Sequence, residues 1–200
     1  MFLAIEGIDG AGKTSVSKIL ADKLNYEYSN QKALSAHMGI PNSAYLDYCH
    51  TYRKSVNADS DSMFMLYSLS CFLSGRKINV VCDRHLPTVY FWYGNKDNLF
   101  IADAIYKLTS KPDITIVLEV SVDTAIERVQ KKLKNKLITE LDAQREFEKA
   151  QRANEFILRV IPFLEHFELP YVIIDANDNP IDTICESIMN IVADKMLIKL

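Results

Sequence analysis

Short apolar runs alternate along the chain with longer stretches whose apolar residues recur at helical spacing. Phe2–Ile5, Ile78–Cys82, Ile114–Val120 and Tyr171–Ile174 read as buried strands, and the more polar Tyr26–Ser29 as a further one. The first helix is expected from Lys13 to about Leu24. Ser43 can cap a second helix, carrying Tyr45, Tyr48, Tyr52 and Arg53. Asp59 or Ser60 can cap a third, in which Met63, Phe64, Leu66, Tyr67, Leu69 and Phe72 go nearly all round; this predicts a central helix, ended by Gly75. An aromatic cluster and a helix fill residues 88–108, and further helices are expected from Asp123 to about Leu133, from Leu141 to Val160 before Pro162, and from Ile181 to Met196. The alternation predicts an α/β fold, a central parallel sheet with helices on both faces and ligands at the carboxyl ends of the strands. Glu6, Asp83 and Glu119 fall at or near such ends.

Composition narrows the picture. A chain of 200 residues, 48% hydrophobic, suits one domain over residues 1–200. A net charge of −3 gives no field for nucleic acid, and no apolar run is long enough for a bilayer. The N-terminus enters the first strand without a basic segment or an apolar signal core, which points to the cytoplasm. Cys49, Cys71, Cys82 and Cys185 form no C-x-x-C pair and read as reduced thiols, and His37, His50, His85 and His166 show no ligand spacing.

The chemistry gathers after the first strand. Gly7-x-x-x-x-Gly12-Lys13-Thr14 stands between a strand and a helix, the setting of a phosphate-binding loop. Backbone amides of Gly7, Gly10, Ala11, Gly12 and Ser15, at the positive end of the helix, suit the phosphates of ATP; Lys13 adds a point charge, and the Thr14 hydroxyl suits Mg²⁺. Asp83 after Val80-Val81-Cys82 is placed to hold the same Mg²⁺, and Arg84 to clamp the transferring phosphate through its planar fork. Asp9 can accept a hydrogen bond from a sugar hydroxyl or simply brace the loop. Lys131, Lys132, Lys134 and Lys136 suit a small lid over about residues 131–140, or a solvated helix face. Phe91, Trp92 and Tyr93 line a base pocket or the core. Arg53 is a further cation for the acceptor. Asn95-Lys96-Asp97-Asn98 departs from the guanine-binding N-K-x-D motif at its last residue and follows the wrong kind of segment.

Together these residues resemble the thymidylate kinase family of P-loop kinases. Glu6-Gly7-Ile8-Asp9-Gly10-Ala11-Gly12-Lys13-Thr14 is similar to its E-G-x-D-G-x-G-K-[ST], and Val80–Gly94 to its Asp-Arg block, with the spacing kept from Asp83 to Gly94. Lys111-Pro112-Asp113 through Arg128 resembles its K-P-D stretch. The resemblance implies a P-loop kinase fold, ATP and Mg²⁺, a lid after Arg128 with Lys132 near ATP, and an adenine pocket bordered by Asp175–Pro180. It also implies Asp9 on the acceptor sugar, Arg84 on its phosphate, Trp92 near its base, and a homodimer packed through helices. Two family arginines are absent: one from the loop matching Ala36–Pro41, and one from the helix position reading Ser68-Leu69-Ser70-Cys71. Three readings follow: a nucleoside monophosphate kinase with dTMP as acceptor, a kinase of a nucleoside or another nucleotide, and an ATP-binding module without turnover. Lys13, Thr14, Asp83 and Arg84 together argue against the last. The missing arginines predict that dTMP is bound weakly.

Overall fold

The computed structural model describes residues 1–30, 39–41, 51–52, 60–134 and 140–198. Strands β1 (Phe2–Gly7), β2 (Glu27–Asn30), β3 (Val80–Asp83), β4 (Ile114–Glu119) and β5 (Tyr171–Asp175) form one sheet in the order β2-β3-β1-β4-β5, every pair parallel. Helices α1 (Lys13–Leu24), α2 (Ser60–Ser74), α3 (Leu86–Tyr93), α4 (Leu99–Leu108), α5 (Val122–Lys134), α6 (Glu140–Ala150), α7 (Ala153–His166) and α8 (Ile181–Ile198) connect and cover it. The central strand β1 is buried along its whole length, as its continuous apolar run requires in a sheet covered on both faces. Register sets Ile5 beside Asp83 and Gly7 beside Leu118, so the loop after β1 and the residues after β3 leave the sheet at one edge.

Several expected elements shift. The third strand begins at Val80; Ile78 is 85% exposed, outside it. The α2 helix is not apolar all round. Ser68, Ser70 and Ser74 are buried while Met65 and Leu69 are exposed. Small side chains let this helix lie close to β2, and the Ser29 and Ser74 hydroxyls meet at 2.8 Å. The long helix expected to stop before Pro162 is two helices, parted at Gln151 and Arg152, and Pro162 sits inside the second. Its missing N–H would bond Leu158, which is on the solvent side, so water can serve that carbonyl. Lys131, Lys132 and Lys134 do not lie between helices; they are exposed in the last turn of α5. The rest of the expected lid core, residues 135–139 with Lys136, lies outside the described residues, as do the start of the Ser43 helix, Arg53, Cys49 and residues 36–38. Asn95 caps the short 3₁₀ turn Lys96–Asn98, its side chain accepting from the Asp97 and Asn98 amides, which gives the N-K-D-N run a structural role.

Candidate active site

The loop from Gly7 to Gly12 turns on glycines at positive φ. Gly10 has φ 90°, and a Cβ there would stand 2.7 Å from the Ala125 carbonyl oxygen. Ala11 N–H donates to the Ile8 carbonyl (3.1 Å), and Gly12 caps α1, accepting from the Ser15 and Val16 amides. The first turn of α1 leaves Thr14 and Ser15 exposed and folds Lys13 inward. Lys13 Nζ donates to the Ile8 carbonyl at 2.6 Å and stands 4.0 Å from Asp9. Burial and the neighbouring Arg84 push its pKa down to about 8, against the pull of Asp9, Asp83 and Glu6.

From β3, Asp83 enters the same space. Its Oδ2 accepts the Thr14 hydroxyl at 2.6 Å and the Tyr28 hydroxyl at 3.1 Å. Its Oδ1 is buried with no hydrogen-bond partner among the described residues. Arg84 follows at φ 75° and pairs with Asp9. Burial alone would raise the Asp9 carboxyl, but Arg84 and Lys13 override it and hold the group well below the usual carboxylate range. Burial works against the charge on Arg84 as well, and Asp9 and Asp83 reverse that. Tyr28 is pushed up to about 12 by burial, which keeps its hydroxyl a donor.

At the far rim, Arg128 donates to the Asn177 carbonyl at 2.6 Å and to the Gly10 carbonyl at 3.5 Å, tying the phosphate loop to the Asp175–Pro180 loop. Lys132, one turn on, is exposed. Trp92 packs edge-on to Phe91, and the Arg152 guanidinium lies 5.2 Å from its ring and 4.7 Å from that of Phe91. The structure thus brings Gly7, Asp9, Gly10, Ala11, Gly12, Lys13, Thr14, Asp83, Arg84 and Arg128 to one mouth.

Three contributors were not singled out from the sequence. Tyr28 comes from the polar strand β2, and its contact with Asp83 spans 55 positions. The Lys149 charge acts on Asp9, and Arg152 covers Trp92 from the α6–α7 turn. Their only signal is a Lys-x-x-Arg spacing inside what reads as one continuous polar helix.

Comparison with known proteins agrees with this geometry. The thymidylate kinase family profile matches residues 71–188. A probable thymidylate kinase of Methanocaldococcus jannaschii is 34% identical over 145 residues, covering 66% of this chain and 71% of that protein. One from Archaeoglobus fulgidus is 26% identical over 215 residues, covering 100% of this chain and 98% of its own. Among solved structures, a deoxyadenosine kinase from M. mycoides with bound dATP superposes with a TM-score of 0.61 at 23% identity, covering 96% of this chain and 100% of that one. That likeness establishes the P-loop kinase fold. With more than half of its length matched, the chain belongs to the thymidylate kinase family of nucleotide phosphotransferases.

Proposed function

We propose that the chain transfers the γ-phosphoryl group of ATP to a nucleoside monophosphate, with dTMP as a weakly held acceptor. The observation that carries this reading is the convergence of Lys13, Thr14, Asp83 and Arg84 at the carboxyl ends of neighbouring strands. The relatives from M. jannaschii and A. fulgidus bear the name probable thymidylate kinase, which supports the acceptor class.

Each residue then has a task. The loop residues Gly7, Gly10, Ala11, Gly12, Thr14 and Ser15 cradle the phosphates of ATP, and Lys13 neutralises charge on the transferring group. Thr14 Oγ1 and the buried Asp83 Oδ1, unpartnered among the described residues, are hard oxygen donors that fit Mg²⁺ held by few protein ligands. That ion would supply charge neutralisation along the phosphates. Arg84 spends one side of its fork on Asp9 and keeps further donors for the acceptor phosphate. Asp9 also serves the acceptor sugar, Arg128 the adenine rim, and Lys132 the outer phosphates. Trp92 and Arg53 belong to the acceptor end.

The weak hold on dTMP follows from the missing cations. Residue 71, the position that resembles the family's arginine, is a buried cysteine. Each lost charge-assisted bond is worth about 1.5–3 kcal/mol. The enzyme works in the cytoplasm, as a homodimer, without membrane or nucleic acid; among the described residues no helix is long and apolar enough to cross a membrane. Incubation with ATP, Mg²⁺ and dTMP, followed by chromatography, tests the reaction. The expected products are ADP and dTDP, lost in Lys13→Ala. ADP without dTDP or any other diphosphate would sink it.

A further inference from the structure

We propose that Glu6 is a positioning residue for Arg84, which it holds in its working conformation without touching either nucleotide. The inference rests on the phosphotransfer reading above, and its test includes a readout that does not. Glu6 is the next-to-last residue of β1, its side chain fully buried. Its Oε1 accepts the His85 backbone N–H at 2.8 Å, and its Oε2 accepts the Thr88 hydroxyl. The residue before it completes the clamp: the Ile5 carbonyl accepts the Arg84 N–H at 3.0 Å. Two successive amides of the β3–α3 turn are thereby fastened to the end of β1.

The turn needs such fastening. Arg84 stands at φ 75°, in the left-handed region that a side-chain-bearing residue avoids unless its surroundings enforce it. In that conformation its guanidinium reaches Asp9 on the phosphate loop. Released, residue 84 would relax toward ordinary backbone angles and carry the guanidinium away from Asp9. The chemistry at residue 6 is unusual for a packing role. A fully buried carboxyl with, among the described residues, an amide and a hydroxyl as its hydrogen-bond donors is an expensive choice in a core. Thr88 lies in the first turn of α3, so one carboxyl ties together the strand, the turn and the helix start.

The test is steady-state kinetics with ATP and dTMP for Glu6→Ala, Glu6→Gln and Thr88→Val, each alone and combined with Arg84→Ala. Two lost hydrogen bonds at about tenfold each predict a fall of roughly 10–100-fold in kcat/KM for dTMP in Glu6→Ala, with the KM for ATP unchanged to about twofold. Glutamine keeps the acceptor for His85 N–H, and so restores most of the loss. Thr88→Val removes one hydroxyl at constant shape, so it carries the test if Glu6→Ala does not fold; about a tenfold fall is expected. In the Arg84→Ala background neither change has a further effect, because the interaction runs through Arg84. Equal losses toward ATP and dTMP, or losses that add fully to that of Arg84→Ala, would overturn the inference. The Arg84 Nε–H resonance, assigned by its disappearance in Arg84→Ala, reads the same claim without turnover. It should move to the position of a free, solvated arginine in Glu6→Ala or Thr88→Val, and an unmoved resonance refutes the role whatever the acceptor proves to be.

Discussion

Replacing Lys13 by methionine should yield a protein that is inactive and more stable. The Lys13 side chain is 4% exposed, and burial, with Arg84 nearby, holds its pKa at about 8 against an ordinary 10.5. That gap corresponds to about 3 kcal/mol of stability withheld whenever the lysine is charged in the fold. The sign follows from proton counts. Between pH 8 and 10.5 the unfolded chain holds a proton that the folded chain has released, so stability rises with pH across that window. Below pH 8 both states are charged and the full penalty stands. Methionine has similar reach, fills the site and escapes the penalty. It loses the 2.6 Å bond to the Ile8 carbonyl, worth about 1 kcal/mol. The net gain near pH 7 is about 2 kcal/mol, or a rise in Tm of about 4–8 °C for a chain of this size. Turnover should fall by roughly 10²–10³, because the charge is absent where the phosphoryl group transfers. Thermal unfolding without nucleotide at pH 7 and pH 10, beside a coupled ADP assay, checks both halves. The stability gap should narrow at the higher pH. A variant that melts below the parent at pH 7, or turns over at the parental rate, refutes the reasoning.

Other expectations are as direct. If the carboxylate holds Mg²⁺ with the Thr14 hydroxyl, as proposed, Asp83→Asn should lower Mg²⁺-dependent turnover far more than ATP affinity; titration with ATP alone and with its Mg²⁺ complex separates the two. Gly10→Ala should lose about 1–3 kcal/mol of stability from its φ of 90°, with more from the Ala125 carbonyl 2.7 Å away, and a parental Tm would contradict this. Glu6 is raised by burial to about 7 from 4.5, so its contribution to stability is full below pH 4.5 and lost as pH rises through 7. His85, lowered by burial to about 4 from 6.5, works the other way, its contribution lost as pH falls below 6.5. Glu6→Gln removes the first and leaves the second, so melts from pH 4.5 to 8 should show the variant weakening on acidification more steeply than the parent.

What the sequence disclosed was local. β1, the phosphate loop and α1 form one uninterrupted signal, and α1 runs over Lys13–Leu24, as its periodicity predicts. Asp83 and Arg84 were legible because a buried strand ends on them. The lost information was tertiary. Nothing near Glu6 in sequence announces His85 and Thr88, which are 79 and 82 positions away. The burial of Ser70 and Ser74 ahead of Leu69 reflects how close β2 lies, which helical periodicity does not contain. Pro162 is tolerated because of where its turn faces, a fact of packing that propensity does not carry. Arg152 lies against Trp92 from a distant turn, and a contact of that kind leaves no distinct sequence signal.

The central claim is phosphoryl transfer from ATP to a nucleoside monophosphate at this mouth. A single panel measures it most directly: purified protein, ATP and Mg²⁺, with dTMP, the other nucleoside monophosphates and free nucleosides as acceptors, and products resolved by phosphorus NMR. The account predicts a new diphosphate from a monophosphate, slow or at high KM for dTMP, and no product from thymidine. Preferential formation of a monophosphate from a free nucleoside, or no transfer to any acceptor, would contradict it.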